Sequence, residues 1–257
     1  MSAFLDILSE PQLLASAKFL GAGLAVGLSA VGSAAGEGFA AGRAVQIASR
    51  QPAMSGTILR TMLIGQAIAE TSGILGLVVA IIMVTRSTES LVNVAAAGSL
   101  LGAALSMGLA AISPGLGSGL VAGRALEAMG HTPAAAGKVT MTMLMAQALT
   151  ESGAIFGFVV AMLLLFGRIE TTAPQEAGYW PVMVAALGKY LGAGLSMGLA
   201  TMGAGLGIGY AGSRAVQAIG RNIEQAGPIQ RTMFVGAAVT ESVAVYGLVV
   251  ALLMILV

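Results

Sequence analysis

Three glutamates stand alone in apolar sequence. Glu70 lies in IGQAIAETSGILGLVVAIIMV, Glu151 in AQALTESGAIFGFVVAMLLLF and Glu241 in GAAVTESVAVYGLVVALLMILV, and each is followed by a hydroxyl, Thr71, Ser152 or Ser242. A charged acid near the centre of a bilayer costs at least about 2.5–3.5 kcal/mol. A neutral glutamic acid that only glues helices together would explain one such residue, but three in register ask for a mechanism. Desolvation disfavours the charged form of a carboxyl. Such a group can hold a proton at neutral pH, or coordinate a cation, and let it go when a positive charge approaches. The chemistry is reversible ion carriage.

The elements that must hold these acids follow from composition. The chain is 57% apolar and 9% charged, against about 25% charged residues in soluble domains, which makes it a membrane protein. A net charge of +1 offers no basic surface for nucleic acid, and the absence of cysteine excludes disulfides and thiol chemistry. Six segments have the roughly 20 apolar residues a spanning helix needs: 18–46, 57–84, 94–127, 138–166, 186–217 and 231–257. Short connections predict antiparallel hairpins, giving an all-α membrane fold of three tandem hairpins. Residues 1–17 carry Asp6 and Glu10 instead of a basic n-region, so they read as an interfacial segment and not as a signal peptide.

Charge orients the hairpins. Arg43, Arg50 and Arg60 flank the first hairpin loop, Arg124, His131 and Lys138 the second, and Arg214, Arg221 and Arg231 the third. The other side carries Asp6, Glu10, Glu89, Glu170 and Glu176 against Lys18, Arg86, Arg168 and Lys189, with Tyr179, Trp180 and Pro181 as an aromatic anchor. The positive-inside rule then predicts cytoplasmic hairpin loops and both termini outside.

The hairpins are copies of one unit. LGAGLAVGLSAVGSAAGEGFAAGRAV (20–45) aligns without a gap on LGAALSMGLAAISPGLGSGLVAGRAL (101–126) and LGAGLSMGLATMGAGLGIGYAGSRAV (191–216). The repeats are 18–86, 87–168 and 169–257, and the acids fall in register with Arg43, Arg124 and Arg214. The first helix of each is dense in glycine, which lets backbones approach closely in lipid and predicts a tightly packed inner row. Gly207 to Gly212 matches GxGxxG, but inside a spanning segment and after no strand the match is spurious. Pro114 falls mid-span and could bend its helix.

These residues carry a resemblance. The glycine-rich helix, the loop ASRQP (Ala48 to Pro52) and the helix with GQAIAETSG resemble the c subunit of F-type ATP synthases. Fused hairpins also occur among V/A-type proteolipids. The other two loops depart from the pattern, reading GHTP (130–133) and GRNI (220–223). The resemblance implies a closed ring of copies in the cell (plasma or inner) membrane. That ring would turn against the stator's a subunit, which bears an essential arginine. The loops, through Arg50, Gln51, Pro52, His131 and Arg221, would grip the central stalk subunits gamma and epsilon. The resemblance implies no nucleotide site, no covalent chemistry and no cofactor, only a transported ion. A ring built only of this chain has a hairpin number that is a multiple of three.

Sodium-binding relatives, on the same resemblance, use a glutamine of the first helix, the glutamate, the hydroxyl after it, a carbonyl two before it and a tyrosine five after. Here the carbonyls are those of Ile68, Leu149 and Val239. The glutamine position holds Glu37, Ser118 and Ile208, and the tyrosine position Leu75, Phe156 and Tyr246. Hard cations want several oxygens, and the site with Ile208 has lost one, which favours protons over sodium. Glu37 is expected beside Glu70, the two sharing a proton or holding a sodium ion between them. A secondary transporter would show inverted repeats around one central site, and a structural scaffold would not need the acids.

Overall fold

The computed structural model describes residues 10–87, 94–167 and 179–256. The described residues form six long helices: α1 (Glu10–Arg50), α2 (Ser55–Thr85), α3 (Val94–His131), α4 (Ala136–Phe166), α5 (Tyr179–Arg221) and α6 (Ala226–Leu256). All six are long and apolar enough to cross a membrane. The glycine-rich α1, α3 and α5 pack against one another as an inner row, and α2, α4 and α6 lie outside them. Each outer helix is seated on its own inner helix and, where the chain continues, on the inner helix of the next repeat: α2 on α3 and α4 on α5.

Glycine makes the inner row possible. A Cβ on Gly115 would stand 2.5 Å from the Ser33 nitrogen and 2.6 Å from the Gly32 carbonyl carbon, inside the backbone of α1. Gly36 and Gly119 face each other across the same seam, and Gly117 and Gly209 across the α3–α5 seam. Lateral hydrogen bonds reinforce this packing. Ser113 Oγ donates to the Thr201 carbonyl at 2.9 Å, and Ser106 Oγ to the Gly157 carbonyl at 2.9 Å.

Three tight turns close the hairpins at one end. Gln51, Thr132 and Asn222 adopt similar backbones (φ −131°, −135° and −146°, with ψ 67°, 81° and 92°), and each is followed by one 3-10 turn. Proline opens the first two, at Pro52 and Pro133, and Ile223 opens the third. The divergent loop sequences therefore build one geometry. At the opposite end Lys18 Nζ donates to the Arg86 carbonyl at 2.8 Å, and Arg86 Nη1 donates to the Leu165 carbonyl.

Two expectations change. The inner helices outrun the predicted spans, because their backbone hydrogen bonding carries on past the apolar stretch to Arg50, His131 and Arg221. α1, with 41 residues, is about 60 Å long against a hydrocarbon core of about 30 Å. Residue 18 also marks no break, since Leu14 and Ala17 of the same helix are buried in the bundle core. Pro114 lies inside an unbroken α3. Asp6, Glu89, Arg168, Glu170, Glu176 and the side chains of Glu10, Tyr179 and Trp180 lie outside the described residues.

Candidate ion-carrying sites

Each glutamate is the midpoint of a 31-residue outer helix: Glu70 in Ser55–Thr85, Glu151 in Ala136–Phe166 and Glu241 in Ala226–Leu256. Helix length thus puts all three at one depth, far from either end.

The Glu151 site is the most complete. Ser118 Oγ, from α3 of the same repeat, donates to Oε1 at 3.0 Å. Thr71 Oγ1, from α2 of the preceding repeat, donates to Oε2 at 2.8 Å and lies 2.7 Å from the Ile68 carbonyl. Thr150 Oγ1 lies 2.7 Å from Ser118 Oγ and 2.7 Å from the Gln147 carbonyl. The acid is therefore held by two repeats, and the hydroxyl following one glutamate serves the glutamate of the next repeat. Sequence spacing pairs Thr71 with Glu70, whereas the fold delivers Thr71 to Glu151. The cause is the seat of α2 on α3, which turns residues 68 and 71 toward the second repeat.

The other two sites differ. Ser152 and Ser242 bond the Leu149 and Val239 carbonyls at 2.8 and 2.7 Å, as Thr71 does that of Ile68. Among the described residues neither Glu70 nor Glu241 has a side-chain hydrogen bond. Ile208, 2% exposed, fills the place that Ser118 takes in the second repeat, so an apolar wall stands there. Glu37 is half-buried and lies within electrostatic reach of the exposed Glu70. Tyr246 is exposed.

Two glutamines escaped the spacing argument. Gln147, fully buried one turn before Glu151, donates Nε2 to the Gly65 carbonyl at 2.9 Å and the Ser118 carbonyl at 3.1 Å. Gln66 repeats this toward the Glu37 carbonyl at 3.2 Å, and Ala237 takes the place in repeat 3. Their signal is the four-residue spacing to the acid, which puts both on one helix face. Glu127 is a further addition: its carboxylate bridges Arg43 Nε at 2.9 Å and Arg124 Nη1 at 2.8 Å, tying α1 to α3 at the loop end. There His131 and Arg221 line one cavity of about 330 Å³, while Arg50, Gln51 and Pro52 are exposed at the first turn.

Comparison with known proteins agrees with the threefold hairpin repeat. The family model for the ATP synthase C subunit matches three times, at residues 20–83, 101–164 and 191–254. The K subunit of the A-type ATP synthase of Methanocaldococcus jannaschii is 32% identical over 248 residues, 96% of this chain and 98% of that protein. Single repeats match shorter proteins. The ATP synthase c subunit of a Synechococcus species is 47% identical over 76 residues, 30% of this chain and 93% of its own length. The chloroplastic c subunit of Oedogonium cardiacum is 51% identical over 73 residues, 28% of this chain and 88% of its own. The chain belongs to the ATP synthase C-subunit family, with that family's hairpin present three times over.

Proposed function

We propose that this chain is a rotor subunit of a rotary ATP synthase, carrying protons through the membrane on Glu70, Glu151 and Glu241. Copies form a closed ring that turns against the stator's a subunit, which bears an arginine. The loops of all three hairpins, on the cytoplasmic side, hold the central stalk subunits gamma and epsilon. The chain itself does no covalent chemistry. Each glutamate loads an ion on one side of the stator, travels neutral against lipid, and discharges at the arginine.

The observation that supports this reading is the hydrogen-bond network at Glu151. On protonation of the acid the bond from Thr71 reverses: Oε2–H donates to Thr71 Oγ1, whose own proton goes to the Ile68 carbonyl 2.7 Å away, while Ser118 donates to Oε1. Thr150 meanwhile donates to the Gln147 carbonyl. Every hydroxyl proton then has an acceptor, and the buried carboxyl carries no charge, the form that costs least at this depth. The apolar wall at Ile208 favours the same ion, because all sites pass one stator and the poorest in oxygen limits the choice.

Sodium is the second reading. The observation favouring it is the Oε1 of Gln147, a buried oxygen without a hydrogen-bond partner one turn from the acid. The deciding experiment uses the complete enzyme reconstituted in vesicles. Glu151→Gln is expected to abolish ATP-driven proton uptake while the ring still assembles, and retained uptake would refute a carrier role. Proton pumping unaffected by sodium chloride supports the first reading, and sodium uptake supports the second.

A further inference from the structure

Gln147 is an unfavourable residue for the place it holds. It is 0% exposed, and its Nε2 donates to two backbone carbonyls, of Gly65 at 2.9 Å and of Ser118 at 3.1 Å, while its Oε1 has no partner. Buried polar groups are as a rule hydrogen-bonded, and an unpaired one asks for a reason. Packing supplies none, because an apolar side chain of the same length would fill the space without stranding an oxygen.

The reason lies in what the amide holds. Ser118 is the inner-helix residue whose Oγ donates to Glu151 Oε1 at 3.0 Å. Gln147 Nε2 grips the carbonyl of that same residue. The main-chain carbonyl of Gln147 takes the proton of Thr150, whose Oγ1 lies 2.7 Å from Ser118 Oγ. One residue thus fixes Ser118 at both ends, its peptide through the side chain and its hydroxyl through Thr150. Ser118 and Thr150 are fully buried, out of reach of bulk solvent.

The three repeats supply an internal control. At the inner-helix position they carry Glu37, Ser118 and Ile208, and four residues before the acid they carry Gln66, Gln147 and Ala237. Gln66 Nε2 donates to the Glu37 carbonyl at 3.2 Å, the same bond that Gln147 makes to Ser118. Glutamine is present where the inner helix carries a side-chain oxygen and absent where it carries isoleucine. A residue kept only for helix packing would not track the chemistry of a side chain on another helix.

We infer that Gln147 and Gln66 are positioning residues for ion carriage. Each acts through another residue, holding the peptide of the inner-helix group so that its side-chain oxygen stands toward the acid: Ser118 for Glu151, and Glu37 for Glu70. The third repeat has lost the oxygen and its holder together, so Glu241 loads and unloads without either. Each chain therefore has two positioned carriers and one that is not. This inference rests on the carrier role proposed above for the three acids.

The test is carbodiimide labelling of the purified protein, read at each glutamate by mass spectrometry at fixed pH. A carboxyl released from a hydrogen bond reacts faster than one that is held. Gln147→Met keeps the length and removes the amide. It is expected to speed labelling at Glu151 about three- to tenfold, the equivalent of part or all of one hydrogen bond, with Glu241 unchanged. Ser118→Ala is expected to act at least as strongly, and in that background Gln147→Met is expected to add nothing, because its target is gone. An amide that only braced the helices would act equally with and without the Ser118 hydroxyl. Additive effects therefore overturn the proposal, as does an unchanged rate at Glu151 in the single variant. The third repeat gives a second measurement, by gain. Ala237→Gln alone is expected to leave Glu241 as it is, and combined with Ile208→Ser to slow its labelling about threefold beyond Ile208→Ser alone. Slowing by Ala237→Gln alone, or no further slowing in the pair, overturns the proposal. Failure of the carrier reading would appear separately, as proton pumping that survives Glu151→Gln.

Discussion

Replacing Gly115 by alanine probes the seam between α1 and α3. The new Cβ would lie 2.5 Å from the Ser33 nitrogen, 2.6 Å from the Gly32 carbonyl carbon and 2.8 Å from the Ser33 Cα. Ordinary contact begins at about 3.4 Å, so the helices must part by about 0.9 Å. The atoms struck are backbone, so no rotamer change relieves the overlap. A gap of that size forfeits roughly a quarter to a half of each dispersion contact along the seam. Overpacking commonly costs about 1–3 kcal/mol, and the rigid backbone puts this case at the upper end. The gain in helix propensity returns about 1 kcal/mol, leaving a net loss of about 2 kcal/mol. The assay is unfolding of the single chain in mixed micelles against rising SDS, followed through Trp180 fluorescence. Gly137→Ala is the reference, because nothing lies within 4 Å of its Cβ. If both variants unfold at the same SDS fraction, backbone contact does not hold α1 to α3.

Other outcomes follow from the same geometry. Ile208→Ser restores a hydroxyl where Ser118 stands and should slow carbodiimide labelling of Glu241 about tenfold, toward the rate at Glu151. An unchanged rate would mean that the inner-helix position does not face the acid. Gln147→Leu removes two interhelical hydrogen bonds but also an unpartnered oxygen, so it should destabilise the chain by about 1 kcal/mol in the same SDS titration. Gln66→Leu, with one longer bond at a half-buried site, should cost less. Glu127→Gln breaks the bridge between Arg43 and Arg124 and should cost about 1 kcal/mol at low salt. That loss should shrink in 1 M sodium chloride, where charges are screened within about 3 Å.

The sequence by itself determined the six spans, the three repeats and the positions of the three mid-helix acids. Each of these is a property of one helix: a run of apolar residues, a recurring glycine pattern, or a carboxylate where lipid would exclude one. Only the tertiary structure decided which groups share a site. Helical periodicity says that residues 68, 71 and 75 share a face, but not which neighbour covers that face. The seat of α2 in the groove between α1 and α3 answers this, and it moves Thr71 from Glu70 to Glu151. Gln147, which reads as one more polar residue in an apolar helix, became a cross-repeat donor in the same way. Contacts within a hairpin follow from spacing along the chain, while contacts between hairpins follow from packing, and the bonds that hold Glu151 come from both.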